Sequence, residues 1–412
     1  MTKQPELSIK QNMLWNMAGS ITSLVCQYLI TVLVVRLSSE LDAAGLYSLA
    51  MSIFGIFSPI ANYGIYSFLA TDIRNEYSLG EYLTLVIITS SACVLFVAFY
   101  TVLTCRENAW GVIISYIVYR IAGILLDIMH AYDQKRHRMD IIGISLALQG
   151  ALSLILFGLF FYFTENLVTT LLLMTLGTLI VAATFDIPKT LKLTTIHLGI
   201  CKPKALRLLK SCLPIVLANV AFGAVPSIPR QYLSAICGDA ALGIYASVAA
   251  PVAIIQTGAT YIYNPLISYF AEYIASGNRS GFVRMLKSTL LGIAAIGIVC
   301  TLGIYLFAYP VLSLLYGEVV AAYSNLMYPL VISSLLLGMQ GFFNNLLIAM
   351  RTTRSMLISS IVSLVVSLII CTPLVDMFTM NGATAALALS CLAGIIYSAY
   401  CLKVQLGSFC SR

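Results

Sequence analysis

Three arginines, Arg36, Arg120 and Arg230, lie in stretches otherwise built from apolar residues: "LITVLVVRLSSE", "ISYIVYRIAGILLD" and "VPSIPRQYLSAIC". A charge at the centre of a hydrocarbon layer costs about 2.5–3.5 kcal/mol on insertion scales, so such a residue faces a cavity or a partner. The guanidinium fork matches two oxygens at once, which makes an anion such as pyrophosphate its natural ligand. Other readings compete. Arg120 could pair with Asp127, two helical turns away on the same face, or with Asp186. Arg36 could reach the outer interface along its own aliphatic stem.

Further polar residues are scattered through the same apolar stretches. Asn219 and Gln231 flank Arg230, Asn62 and Tyr63 follow Pro59, and Asn264, Gln340 and Asn344 lie in the second half of the chain. Each is a candidate substrate contact, and each would serve equally as an interhelical hydrogen bond. Pro226 and Pro229 remove two backbone donors just before Arg230, a candidate hinge in an apolar helix. Acids are few there: Asp127, Asp186 and Glu272, all toward one end of their stretches. The interior is cationic in its middle, which suits an anionic cargo better than a cationic one. Asp127 and Asp186 stand as candidates for ion coupling or for an ion pair.

These residues need helices that cross a membrane. The 412 residues are 60% hydrophobic and only 9% charged, with a mean hydropathy of +0.95. A soluble domain carries about 25% charged residues. Apolar runs of about 20 residues, the length that spans a bilayer, occur twelve times: roughly 13–36, 44–70, 83–104, 109–130, 141–163, 167–186, 211–236, 241–271, 288–308, 324–350, 355–375 and 381–402. With the N-terminus cytoplasmic, 19 of the 23 Lys and Arg residues fall on the cytoplasmic side, and the positive-inside rule therefore predicts that both ends are cytoplasmic. The formal charge of +7 is then an orientation signal and calls for no nucleic-acid partner.

The longest connection, the basic stretch 187–210, separates two halves of six spans each, 1–186 and 211–412. The halves echo one another. "RLSSELDAAGLYS" (36–48) aligns with "YLSAICGDAALGIYAS" (232–247), and "IYSFL" (65–69) with "IYNPL" (262–266). An internal duplication with an even number of spans per half gives two pseudo-symmetric six-helix lobes of the same orientation, which in transporters enclose a central cavity. The expected fold is an all-α polytopic membrane protein of about twelve transmembrane helices.

Several functions are disfavoured. There is no C-x-x-C pair and the three histidines are scattered, so neither a metal site nor a disulfide framework is expected. No phosphate-loop motif of the form GxxxxGK[ST] occurs. No cofactor is expected. The outward loops are short, which argues against a membrane-embedded polysaccharide polymerase or transferase. The basic loop after span 2 that is typical of major-facilitator carriers is missing from "ATDIRNEYSLGEY".

The opening "WNMAGSITSLVCQYLITVLVVRLSSELDAAGLYSLAMSIFGIFSPIANYGI", with "YLSAICGDAALGIYAS" and "PVLSLLYGEVVAAY" farther on, resembles the bacterial polysaccharide (Wzx-type) flippases of the multidrug/oligosaccharidyl-lipid/polysaccharide (MOP) superfamily. The resemblance implies a MATE-like, two-lobed carrier of the bacterial cytoplasmic (inner) membrane. It also implies alternating access and an undecaprenyl-pyrophosphate-linked oligosaccharide as substrate. Membrane lipids, a polysaccharide polymerase and other assembly-pathway proteins are the implied partners. The family's cationic cavity would map onto Arg36, Arg120 and Arg230. Family members often carry an Asp just before the span 7 basic residue, where this chain has Pro229. A multidrug exporter of the same superfamily is the alternative reading, set against the cationic span interiors.

Overall fold

The computed structural model describes residues 9–38, 42–71, 76–136, 138–263, 270, 273–274, 276, 278–350 and 352–408. Among them every regular element is helical, as expected for segments that must satisfy their own backbone hydrogen bonds in hydrocarbon. The chain divides into two compact units, Met1–Val216 and Leu217–Arg412.

The first unit begins with α1 (Ile9–Leu37), α2 (Asp42–Asn62) and the short α3 (Ile65–Thr71). It continues with α4 (Leu79–Thr104), α5 (Glu107–Lys135), α6 (Met139–Thr164) and α7 (Leu167–Val181). A π-helical turn, Ala182–Asp186, carries α7 into α8 (Ile187–Leu191). α9 (Lys202–Cys237) starts in this unit and continues into the second. The second unit adds α10 (Asp239–Tyr263), α11 (Arg279–Tyr316), the single turn α12 (Glu318–Ala321), α13 (Met327–Ala349) and α14 (Thr353–Ser408).

Among the described residues ten helices are long and apolar enough to cross a membrane. One of them, α14, is two spans, because Thr379 (φ 50°, ψ −120°) breaks it. Its arms run antiparallel: Ser359 Oγ meets Ser398 Oγ at 2.7 Å, and Gly394 lies against the Ser363 side chain. With the 25-residue α10, these helices account for the twelve expected spans. The protein is a multi-pass membrane protein.

One span differs from expectation. The run 44–70 reads as a single helix, yet it breaks at Tyr63 (φ 51°) and Gly64 (φ 70°), which separate α2 from α3. The Tyr63 amide turns back to the Pro59 carbonyl at 2.9 Å. The Ala61 carbonyl, left without a helical partner, accepts from Thr89 Oγ1 of α4 at 2.8 Å. Tyr66 of α3 then donates to Gln134 of α5 at 2.5 Å, which fixes the short helix across the C-terminal half of α5.

Lipid offers no hydrophobic drive between helices, so close packing of small residues must hold them together. In the first unit this falls on α1 and α6. A Cβ built on Gly19 would stand 2.3 Å from the Gly143 carbonyl oxygen, and one on Gly143 would stand 2.2 Å from that of Trp15. Farther along, Gly150 meets Ser23 and Cys26, so the two helices run parallel. Outward faces are apolar, as at Leu291, Ile298, Val299 and Leu302 of α11. The 192–201 segment is tied down at the start of α4, where Gly199 donates to Thr84 Oγ1 at 2.8 Å and Lys204 meets Glu81 at 3.0 Å.

The α1–α6 contact makes a specific demand. Gly143→Ala places a methyl inside another helix's backbone, where no rotamer change relieves it, and overpacking of this kind costs about 1–3 kcal/mol. Thermal unfolding in detergent should show Gly143→Ala melting several degrees below the parent. Gly303→Ala, whose Cβ would meet nothing within 4 Å, should not fall.

Candidate functional site

The first unit contains a cavity of about 230 Å³ between α1, α5, α6 and α7. Ser23 and Gln27 of α1, Tyr119, Arg120 and Asp127 of α5, and Gln149 of α6 supply most of its polar wall. Gly123 opens it, since a Cβ there would meet nothing within 4 Å, while Gly150 lines it and lets α1 approach closely. Tyr119 is fixed by a hydrogen bond from its hydroxyl to Ser153 Oγ at 3.2 Å.

Arg120 is held from behind by aromatic rings. Its guanidinium carbon lies 5.2 Å from the centre of Phe54, and Phe54 packs edge-on against Tyr116 at 6.0 Å. Tyr116 in turn meets Tyr47 at 5.4 Å. Rings stabilise the cation through their quadrupoles without neutralising it. The Arg120 Nε is buried and has no hydrogen-bond partner. Asp127 lines the same cavity, and its charge acts on Arg120 through space, so the two-turn spacing seen in the sequence does bring both to one chamber.

The second unit repeats part of this arrangement. Arg230 of α9 is half-buried, its Nε is buried and unpartnered, and it acts electrostatically on Tyr245 of α10. Tyr245 and Tyr47 occupy matching places in the two copies of the D-A-A repeat, each on the helix that the motif begins. Thr384 Oγ1 donates to the Tyr245 hydroxyl at 3.5 Å. Each unit therefore sets an arginine beside the repeat tyrosine, although the arginines come from different helices.

The remaining expected residues fall in several places. Arg36 is exposed in the last turn of α1. Asn62 is half-buried, with a buried Oδ1 lacking a hydrogen bond, and Tyr63 forms the helix break. Asn219 and Gln231 are half-buried on α9. Gln340 is fully buried and donates to Ser363 Oγ at 2.6 Å, an interhelical bond. Asn344, one turn on, is buried with neither amide atom hydrogen-bonded. Asn264 lies outside the described residues. α9 is assigned as one continuous helix through Pro226 and Pro229, with no break at either.

Next to the cavity, the ion-pair candidates Asp127 and Asp186 meet through His130, and Asp133 joins them; neither of these last two was singled out from the sequence. His130 is 2% exposed, and its Nε2 stands 3.2 Å from Asp186 Oδ1 while its Nδ1 stands 3.7 Å from Asp127 Oδ1. Asp186 ends the π-helical turn, and its Oδ2 accepts from Ser145 Oγ at 2.9 Å. Ser145 accepts from Gln149, a cavity residue, at 2.8 Å. Asp133, one turn beyond His130, is fully buried and its Oδ1 has no hydrogen bond. The spacing D-x-x-H-x-x-D over 127–133 puts all three on one helix face. That was the available signal. Asp186 therefore pairs with His130 and Ser145, not with Arg120.

No family model matches this chain. A capsular polysaccharide biosynthesis protein of Staphylococcus aureus, CapF, is 25% identical over 243 residues, covering 58% of this chain and 60% of that protein's length. Among solved structures, an inward-facing multidrug-resistance MATE transporter of the MOP superfamily superimposes with a TM-score of 0.71 at 12% identity, over 94% of this chain and 96% of that one. The chain has the MOP-superfamily transporter fold. The lipid II flippase MurJ, in an inward closed conformation, shares it with a TM-score of 0.66 at 13% identity, over 95% of this chain and 87% of MurJ.

The cavity should be reachable from water. In a cysteine-free background, Gln27→Cys and Gln149→Cys should react readily with a charged thiol reagent. Ile155→Cys, on the apolar outward face, should react far more slowly. Reaction at Gln27→Cys and Gln149→Cys as slow as at Ile155→Cys would show that the cavity holds no water.

Proposed function

We propose that this protein is a flippase that carries an undecaprenyl-pyrophosphate-linked oligosaccharide across the bacterial cytoplasmic membrane during assembly of a surface polysaccharide. The observation that carries the reading is Arg120. Its guanidinium is seated on Phe54 and enters a polar cavity with its Nε unpartnered. A doubly charged headgroup in hydrocarbon needs such a donor, because charge-assisted bonds replace its lost water. Arg230 offers the second unit an equivalent cation. The similarity to a capsular polysaccharide biosynthesis protein and the shared fold with a lipid II flippase support the same reading.

In this reading the lipid pyrophosphate enters from the inner leaflet and meets Arg120 and Arg230 in turn. Asn62, Tyr63, Asn219 and Gln231 meet the glycan. Access alternates as the two units move, with bending at Pro226 and Pro229. Both chain ends lie in the cytoplasm, and membrane lipids, a polymerase and other assembly proteins are the working partners. Charge-assisted hydrogen bonds contribute about 1.5–3 kcal/mol, so Arg120→Ala and Arg230→Ala should each slow flipping of a lipid-linked glycan about tenfold or more in proteoliposomes. Lysine at either site should restore only part of the rate. Unchanged flipping in both alanine variants would remove the cationic-site reading.

Asp127, about half exposed toward the cavity, favours a second reading. A carboxylate there suits an organic cation, and the fold is shared with multidrug transporters. Cells expressing the protein would then resist cationic drugs, and Asp127→Asn would abolish the resistance.

A further inference from the structure

We infer that the cavity of the first unit takes a zwitterionic ligand: Arg120 holds its diphosphate, and Asp127 selects a positively charged amine on the sugar next to it. The inference rests on the proposed flippase function for the diphosphate, and on the second charge of the cavity for the amine. It makes Asp127 a specificity-determining residue, and the carried glycan one whose first sugar bears a free amino group.

An acid on this wall works against a purely anionic ligand. Asp127 and Arg120 line one chamber, and the Asp127 charge reaches Arg120 through space. It therefore also reaches any anion that Arg120 binds, and away from bulk water such like charges repel strongly. A cavity that served a bare diphosphate would hold it better with a neutral residue at 127. The acid becomes favourable when the same ligand carries a cation at its other end.

The protein does not use up Asp127 itself. Its side chain is 48% exposed, and among the described residues it forms no ion pair with Arg120. It meets His130 Nδ1 at 3.7 Å, but that ring's other nitrogen engages Asp186 more closely, at 3.2 Å. A carboxylate in a membrane span needs a partner, and on the cavity side a ligand's ammonium supplies one. The neighbouring amides add acceptors. Gln149 spends an amide donor on Ser145 Oγ at 2.8 Å and Gln27 one on Ser23 Oγ at 3.5 Å, so each keeps its carbonyl oxygen as an acceptor. An ammonium brings three donors and no acceptor, which suits a carboxylate and two amide oxygens.

The dimensions fit such a ligand. Arg120 and Asp127 are separated along one face of α5 by about 10 Å of axial rise. α5 and α6 run antiparallel, because Tyr119 meets Ser153 while His130 reaches Ser145 through Asp186. Gln149 therefore falls between the levels of the two charges. Side chains reaching toward each other from these levels span a diphosphate and one sugar ring. The volume, about 230 Å³, lies below the roughly 300–1,000 Å³ of a pocket that encloses a drug-sized molecule. The chamber is sized for this one end of a lipid-linked glycan and leaves the lipid chain and the remaining sugars outside. An organic cation would satisfy Asp127 and be repelled by Arg120, whereas a zwitterion satisfies both.

The test uses full-length protein in nanodiscs and three probes: geranyl pyrophosphate, geranyl-pyrophosphoryl-glucose and geranyl-pyrophosphoryl-glucosamine. The two sugar probes differ only in a hydroxyl against an ammonium. At neutral pH the parent should bind the glucosamine probe about tenfold more tightly than the glucose probe, the size of one charge-assisted hydrogen bond. Asp127→Asn should erase that preference and also tighten binding of geranyl pyrophosphate about two- to threefold, because the repulsion is gone. Opposite changes for two probes are not what a loss of folding or packing produces. Asp127→Glu should keep part of the preference, and Arg120→Ala should weaken all three probes together. Equal affinity for the two sugar probes in the parent, or a preference that survives in Asp127→Asn, overturns the proposal and leaves the flippase reading standing. Should none of the three probes bind the parent, the flippase reading fails and the zwitterion with it.

Discussion

Charge inside hydrocarbon constrains this structure more than any other factor. Lipid offers no hydrogen bonds to the middle of a span, so each polar group placed there must find a partner or a polar cavity within the fold. Arg120 finds aromatic faces and a polar chamber. Asp186 finds a histidine and a serine, and the freed Ala61 carbonyl finds Thr89. These contacts decide which helix faces meet and leave the apolar faces to the lipid. The cavity is in this sense a by-product of accommodating polar groups, and it lies where α5 and α6 keep glycines.

The two units solve the same problem with different residues. The repeat supplies a D-A-A helix start and a buried tyrosine to each, and each tyrosine feels an arginine. In the first unit that arginine comes from the fourth span, in the second from the seventh. The surrounding polar sets also differ. The first unit carries the ionisable cluster around His130, while the second has a neutral seam of Gln340, Asn344 and the serines of α14. The two copies of the motif start comparable helices, and the polar residues gathered around them differ.

Much of this architecture was legible in the sequence because span length is a one-dimensional property. Twenty apolar residues identify a crossing helix without reference to neighbours, and the D-M-F-T-M interruption correctly separates the last two spans at Thr379. The break at Tyr63–Gly64 escaped because the residues on both sides stay apolar, and only backbone conformation distinguishes it. Arg120 and Asp127 were readable as one face from spacing alone. The His130 cluster was only half readable. Its α5 members recur every three residues, but Asp186 arrives from 56 residues away on a π-helical turn that no periodicity announces. Gln340 was visible as a buried polar group, while its engagement with Ser363 depends on how α13 meets the folded-back α14.

The parallel contact between α1 and α6 has a consequence for how the protein is made. α1 leaves the ribosome before α6, and the glycine surface it packs against is encoded roughly 120 residues later, a delay of about 6–25 seconds at ordinary rates of synthesis. During that interval α1 must wait in the bilayer as a single helix with Gln27 and Gly19 uncovered, while three further spans insert around it. The groove it eventually fills stays open for the same period, so the first lobe cannot close until its fifth span has arrived.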